Sequence, residues 1–326
     1  MSESSAPPRP KIPLTMLTGF LGAGKTTLLN RILQGHHGLR IAVIVNDFGA
    51  INIDAQLIVN VENDTIRLAN GCVCCSIRSD LLATVLQLME RPALPEYIII
   101  EASGVAEPAA VAHTFFTPMI RPFIQLDSIV TLVDAEQVRN QPDYAELIED
   151  QIAAADIVVI NKVDLVTENL RTGLREWINL LVPNARVLDA IHAAVPLELL
   201  LGVGSSVSHK QLVEHDHDHS ITFETWSYES DRPFALQQLQ QTLDSLPPAI
   251  FRAKGVLFVA ESQRQIVLQL VGRRATLSRG EPWGDQQPHT QLVMIGPSGS
   301  CDVAVLSRLF DACLKELSDV VDETGA

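Results

Sequence analysis

The sequence predicts an α/β fold with a mostly parallel sheet flanked by helices, followed by a smaller α+β domain. Three observations carry this. Between Pro13 and Ile160, short β-branched runs alternate with helical stretches, the pattern of strands joined by crossover helices. Those runs are apolar throughout rather than alternating, as in strands covered on both faces. Past Ser220 the pattern shifts to alternating strands between two amphipathic helices. In chain order, Pro13–Leu17 is the first expected strand, leading into a glycine-rich turn and a helix. Ile41–Val45, Tyr97–Ile100, Ile129–Val133 and Ile157–Ile160 are the next four. A small, polar stretch from Gly202 to Lys210 then runs into a biased tract ending at His219, with no apolar period. Beyond it, Ile221–Trp226 alternates as a half-exposed strand and Phe234–Leu246 reads as a helix. Gly255–Val259, Gln265–Leu270 and Gln291–Ile295 read as strands. Val303–Leu317 reads as a closing helix with Val303, Leu306, Leu309 and Phe310 on one stripe. The expected organisation is a leader at 1–8, a first domain at 9–201, a His-rich linker at 202–219, a second domain at 220–320 and a tail at 321–326.

With 326 residues, two domains are the natural expectation, and 47% hydrophobic residues suffice for sizeable cores. A formal charge of −15, from 24 basic against 39 acidic residues, disfavours nucleic acid and anionic membrane surfaces and suits cations. The Pro-rich leader has no basic region followed by an apolar run, so it does not read as a secretory signal. No uninterrupted apolar stretch reaches the roughly 18 residues a membrane helix needs. The expected location is the cytoplasm, where clustered thiols stay reduced and bind metal rather than pair.

Gly19, Gly24, Lys25 and Thr26 match the phosphate-loop pattern, between an expected strand and an expected helix. The pattern makes the first domain a P-loop NTPase domain. Backbone N–H groups from Gly22 to Thr27, Ala23 included, converge on phosphate oxygens, aided by the positive end of the helix. Lys25 is expected to reach the β- and γ-phosphates and Thr26 to bind Mg²⁺. Asn161-Lys162-Val163-Asp164 follows a buried run. The Asp164 carboxylate can accept from both N1–H and the exocyclic amine of guanine, a pair that adenine does not offer, so GTP is the expected nucleotide. Two strand-end segments stand where the γ-phosphate is sensed: Asn46-Asp47-Phe48-Gly49 and Glu101-Ala102-Ser103-Gly104. Asp47 and Glu101 are candidate Mg²⁺ or water ligands, and Gly49 and Gly104 would let the loops move. Lys25, Thr26 and Glu101 are the candidate catalytic residues. No arginine or glutamine stands out as a catalytic partner, so slow intrinsic hydrolysis is expected.

Three of the five cysteines, Cys72, Cys74 and Cys75, fall within one short run. Thiolates select Zn²⁺, Cu⁺ or Fe–S chemistry, and three adjacent cysteines leave a tetrahedral shell open, as a site that passes metal on requires. Packed cysteines and a redox pair are the alternatives; neighbouring Cys74 and Cys75 make a poor disulfide. His215, His217 and His219 alternate with Asp216 and Asp218, so an extended chain puts three imidazoles on one face. Collection of metal and a merely solvated linker are both open readings of this tract. Cys301, Cys313, His113, His192 and His289 read as core or helix residues rather than ligands.

Together and in order, the phosphate loop, Asn46–Gly49, Asn70–Cys75, Glu101–Gly104, Asn161–Asp164 and Arg252-Ala253-Lys254-Gly255 resemble the CobW family of metal-handling P-loop GTPases. The resemblance spans most of the chain. It implies that Zn²⁺ or Co²⁺ is held at the cysteine run and delivered to client metalloproteins on GTP hydrolysis. Family members usually carry Glu where this chain has Asp47, and again at Ala50. The alternative readings are a nucleotide-gated metal store or sensor, and a cobalt-handling GTPase in cobalamin assembly. Expected partners are client metalloproteins, with no nucleic acid and no membrane; a homodimer is left open.

Overall fold

The computed structural model describes residues 11–35, 38–45, 65–67, 75–201, 223–284, 286–300 and 302–315. Two compact units divide the chain: 1–182 with 188–194, and 183–187 with 195–326.

The first unit is organised by a seven-stranded sheet of order β3-β2-β4-β1-β5-β6-β7. Its strands are β1 (Ile12–Thr18), β2 (Ile41–Val45), β3 (Thr65–Arg67), β4 (Tyr97–Glu101), β5 (Ile124–Asp134), β6 (Ile157–Asn161) and β7 (Arg186–Ala190). The pairs β2–β3, β2–β4, β1–β4, β1–β5 and β5–β6 are parallel. Every residue of β2, β4 and β6 is buried. Successive side chains on a strand point to opposite faces, so both faces are covered, as their unbroken apolar runs demand. On one face Leu14, Met16, Ile44, Ile98 and Ile100 pack with Leu81, Val85 and Leu88 of helix α2 (Cys75–Met89) and with Val111 of α3 (Pro108–Thr114). Helix α1 (Lys25–Gln34) follows β1 and buries Leu28, Leu29 and Ile32. Helices α4 (Ala145–Ala153) and α5 (Glu168–Leu181) flank β6 in sequence.

Strand β5 runs farther than its Ile129–Val133 core. Its front half carries Gln125, Asp127 and Ser128, which break the apolar run. Leu14 pairs with Leu126 but Thr15 with Ser128, so Asp127 is an extra, bulged residue. Strand β7 has no counterpart in the pattern reading, since charged Arg186 and Asp189 interrupt its five residues; Asp189 is held by Arg175 at 2.8 Å.

The second unit carries a five-stranded sheet of order β11-β10-β9-β12-β8, paired antiparallel: β8 (Phe223–Ser230), β9 (Arg252–Leu257), β10 (Arg264–Val271), β11 (Arg274–Pro282) and β12 (Thr290–Pro297). One face packs against α7 (Leu236–Asp244) and α8 (Val303–Asp311), and α6 (Leu197–Leu201) precedes them in the chain. Tyr228, Phe234 and Phe310 form an aromatic knot, with centroids 5.3 to 6.1 Å apart. Strand β11 escapes a pattern reading because it is a polar edge strand with no buried residue. The closing helix stops at Asp311 rather than Leu317. Leu314 leaves the helix to bridge Phe234, which draws the chain back onto the sheet. Val303 lies 52% exposed and is not part of the stripe; Leu306 and Phe310 carry it. Cys313 is core, bonded to Thr242 at 3.1 Å.

No helix among the described residues is long and apolar enough to cross a membrane. Truncating fully buried Phe310 to alanine should destabilise the second unit by about 3–5 kcal/mol, read as a lowered urea midpoint.

Candidate functional site

Parallel pairing brings the carboxyl ends of β1, β2, β4, β5 and β6 to one edge of the first sheet, and the candidate residues gather there. The turn after β1 is possible only with glycine at its start. Gly19 has φ +129°, and a Cβ there would lie 2.2 Å from the Leu132 carbonyl oxygen. Gly24, at φ +104°, caps α1; its Cβ would meet the Asn161 side-chain nitrogen at 2.4 Å. The loop therefore lies against β5 and β6 with no space for side chains at these two points. Ala23 is buried, whereas Thr27 is exposed on the first turn of α1.

Lys25 is buried, and its Nζ donates to the carbonyls of Gly19 at 2.9 Å and Phe20 at 3.2 Å. The ammonium thus spans the loop whose N–H groups would receive phosphate. Next to it, the Thr26 hydroxyl donates to Glu101 Oε1 at 2.7 Å. Glu101 is 2% exposed, at the end of β4, paired beside β1. Two of the three candidate Mg²⁺ ligands, Thr26 and Glu101, 75 residues apart in sequence, are therefore in direct contact. Gly104 packs tightly on Leu21 of the phosphate loop, where a Cβ would come within 2.6 Å.

Asn161 braces the other side. Its Nδ2 donates to Ala23 O at 2.9 Å, and its Oδ1 accepts from the Ala193 N–H at 2.8 Å. One amide thus ties the phosphate loop to the turn after β7, in which His192 and Ala193 both hold positive φ. Lys162, also at positive φ, donates to Asp134 Oδ2 at 2.6 Å. Asp134 is itself fixed by the N–H groups of Glu136 and Gln137 at 3.0 and 3.1 Å. Asp164 lies exposed on the tight turn Val163–Leu165. A pattern reading overlooks Asp134 and Ala193. The first had a signal, a carboxylate closing a buried strand at the same edge as Glu101; the second acts through its backbone and had none.

A family model described as "CobW/HypB/UreG, nucleotide-binding domain" matches residues 13–189, and one for the "Cobalamin synthesis protein cobW C-terminal domain" matches 223–314. This chain belongs to the CobW/HypB/UreG family. Among its CobW-type relatives, a protein of Sinorhizobium sp. named "Zinc chaperone CobW" is 31% identical, over 92% of this chain and 96% of that protein. "Zinc chaperone YjiA" of Escherichia coli K12 is 31% identical, over 87% and 94%. "Zinc-regulated GTPase metalloprotein activator 1" of Dictyostelium discoideum is 30% identical, over 86% and 70%. A solved structure, Zn(II)-bound YjiA GTPase from E. coli, aligns over 94% of this chain and all of that one at 26% identity, with a TM-score of 0.48.

Asp47, Cys72, Cys74, Cys301, His215, His217 and His219 lie outside the described residues of this CobW-type chain. Cys75 is the first residue of α2. His113 is an exposed residue of α3, His192 is exposed on the turn after β7, and His289 is half-buried against Trp283. His113 is thus a helix residue as expected, whereas His192 and His289 are neither helix nor core.

Two outcomes follow from the loop geometry. Gly19→Ala should lower nucleotide affinity by about 100-fold or more, because the added methyl overlaps the β5 backbone. Asn161→Ala, which removes both braces, should cost about 1–3 kcal/mol of stability and weaken nucleotide binding; fluorescent-nucleotide titration and thermal melting measure the two.

Proposed function

We propose that this chain is a cytoplasmic GTP-hydrolysing zinc chaperone that loads Zn²⁺ at Cys72, Cys74 and Cys75 and passes it to client metalloproteins. The observation that carries the reading is the contact of Thr26 with Glu101 at the mouth of the phosphate loop. A hydroxyl and a buried carboxylate are hard oxygen donors, the set that Mg²⁺ takes beside nucleotide phosphates. Thr26 and Glu101, together with Asp47, would hold that ion, which supplies neutralising charge at the β- and γ-phosphates when bound. Lys25 exchanges its two carbonyl partners for phosphate oxygens. Asp164 reads guanine, while Lys162, held by Asp134, shapes the wall of the base site.

Family membership and the relatives' names support zinc as cargo and GTP as the fuel. Zn²⁺ is favoured over Co²⁺ because thiolates bind it more tightly in the Irving–Williams order. In the chain, Asp47 follows β2 and the cysteine run follows Asp47, so the proposed phosphate sensor and metal ligands are carried by one continuous segment.

The test is transfer itself. Zinc-loaded protein, mixed with a zinc-free client or a chromophoric zinc acceptor, should release metal faster during GTP turnover than with a non-hydrolysable analogue. Equal release in both would leave a store or sensor. For the nucleotide, Asp164→Ala should lower GTP affinity by about 100-fold while leaving ATP affinity unchanged, measured by competition with a labelled nucleotide.

A further inference from the structure

Gln151 lies on α4, outside every motif, yet its side chain grips the loop that follows Glu101, 47 residues away at Gly104. It is 1% exposed. Its Nε2 donates to Gly104 O at 3.0 Å and to Ala106 O at 3.1 Å. Its backbone carbonyl accepts from the Thr131 hydroxyl at 2.8 Å, which fixes that turn of α4 onto β5. Its Oε1 is buried and has no hydrogen-bond partner among the described residues. The amide can point only one way, because a flipped group would set its oxygen against two carbonyl oxygens.

This arrangement has a cost that a core-filling role does not explain. A buried, unpaired carbonyl is unfavourable, and methionine would fill nearly the same volume without it. What only an amide supplies here is two N–H groups on one nitrogen, one for each loop carbonyl. The loop they hold packs through Gly104 onto Leu21 of the phosphate loop and begins at the Glu101 carboxylate bonded to Thr26. Gln151 also lines a cleft of about 350 Å³, open space included, beside Phe20, Leu21 and Asp134.

We propose that Gln151 is a positioning residue for GTP hydrolysis: its amide clamps residues 104–106 and thereby sets Glu101 against Thr26. The proposal rests on the GTPase reading above, and its test separates the two. In the full chain, Gln151→Met keeps volume and removes both donors. Gln151→Glu removes them while its carboxyl is ionised and restores one when it is protonated. The first readout is hydrogen exchange at the Ala106 N–H, bonded to Ser103 O at 3.0 Å, in nucleotide-free protein. Exchange about tenfold faster or more in Gln151→Met, with an unchanged melting temperature, is expected; wild-type exchange there overturns the clamp, whatever the chain hydrolyses.

The second readout is single-turnover GTP hydrolysis. In Gln151→Met the rate should fall about tenfold while GDP affinity stays within about threefold. A fall in both together assigns Gln151 to general stability and overturns the positioning role. In Gln151→Glu, burial raises the carboxyl's pKa, so activity relative to wild type should climb as the pH drops from about 8 to 6. Asp134, paired with Lys162, is the other ionisable group lining the cleft, and it is common to both proteins, so a flat ratio contradicts the clamp. A wild-type chain that does not hydrolyse GTP would sink the function reading, and the exchange readout would still decide the clamp.

Discussion

Everything this chain does with a nucleotide depends on the parallel register of β1 between β4 and β5. A parallel sheet has all its strand ends of one kind on one edge, and loops there converge although the residues they carry are far apart in sequence. Thr26 meets Glu101 because β1 pairs with β4. The phosphate loop presses on Leu132 because β1 also pairs with β5, and Asn161 reaches Ala23 because β6 pairs with β5 in turn. Shifting the β1–β4 register by one residue would send Glu101 away from Thr26 even with every motif intact.

The site is consequently a set of braces rather than a set of side chains hung on a loop. Lys25 stabilises the carbonyls of its own loop, Asn161 links that loop to the turn after β7, and Asp134 holds Lys162. Gln151 closes the ring from α4 onto the loop after β4. Each brace is short and largely buried, so a ligand that moves one contact has neighbours through which the change travels. These contacts link the phosphate loop with the loop after β4. The sheet of the second unit is built on the opposite plan, antiparallel and packed on one face around Tyr228, Phe234 and Phe310.

Much of this was legible in the sequence, for chemical reasons. A phosphate loop needs glycines at fixed offsets, and a guanine reader needs its carboxylate three residues after the asparagine, so Gly19–Thr26 and Asn161–Asp164 declare themselves locally. Unbroken runs such as Ile157–Ile160 mark strands covered on both sides. Residues whose roles arise only from tertiary proximity do not. Gln151 looks like an ordinary polar residue of an amphipathic helix, and Ala193 contributes only its N–H. Strand β11 was hidden because edge strands need no apolar residues, and the front of β5 because Asp127 and Ser128 interrupt it. Cys72, Cys74 and the histidine tract lie outside the described residues.

The central claim is that nucleotide state sets the grip on metal. Its most direct test is Zn²⁺ affinity, by competition with a chromophoric chelator, for protein holding a GTP analogue with Mg²⁺, GDP with Mg²⁺, or neither. Binding tighter by about tenfold or more with the analogue, and abolished when Cys72, Cys74 and Cys75 are all changed to alanine, is the expected result. Equal affinity in all three states would contradict the coupling, since a ligand that binds two states alike shifts neither.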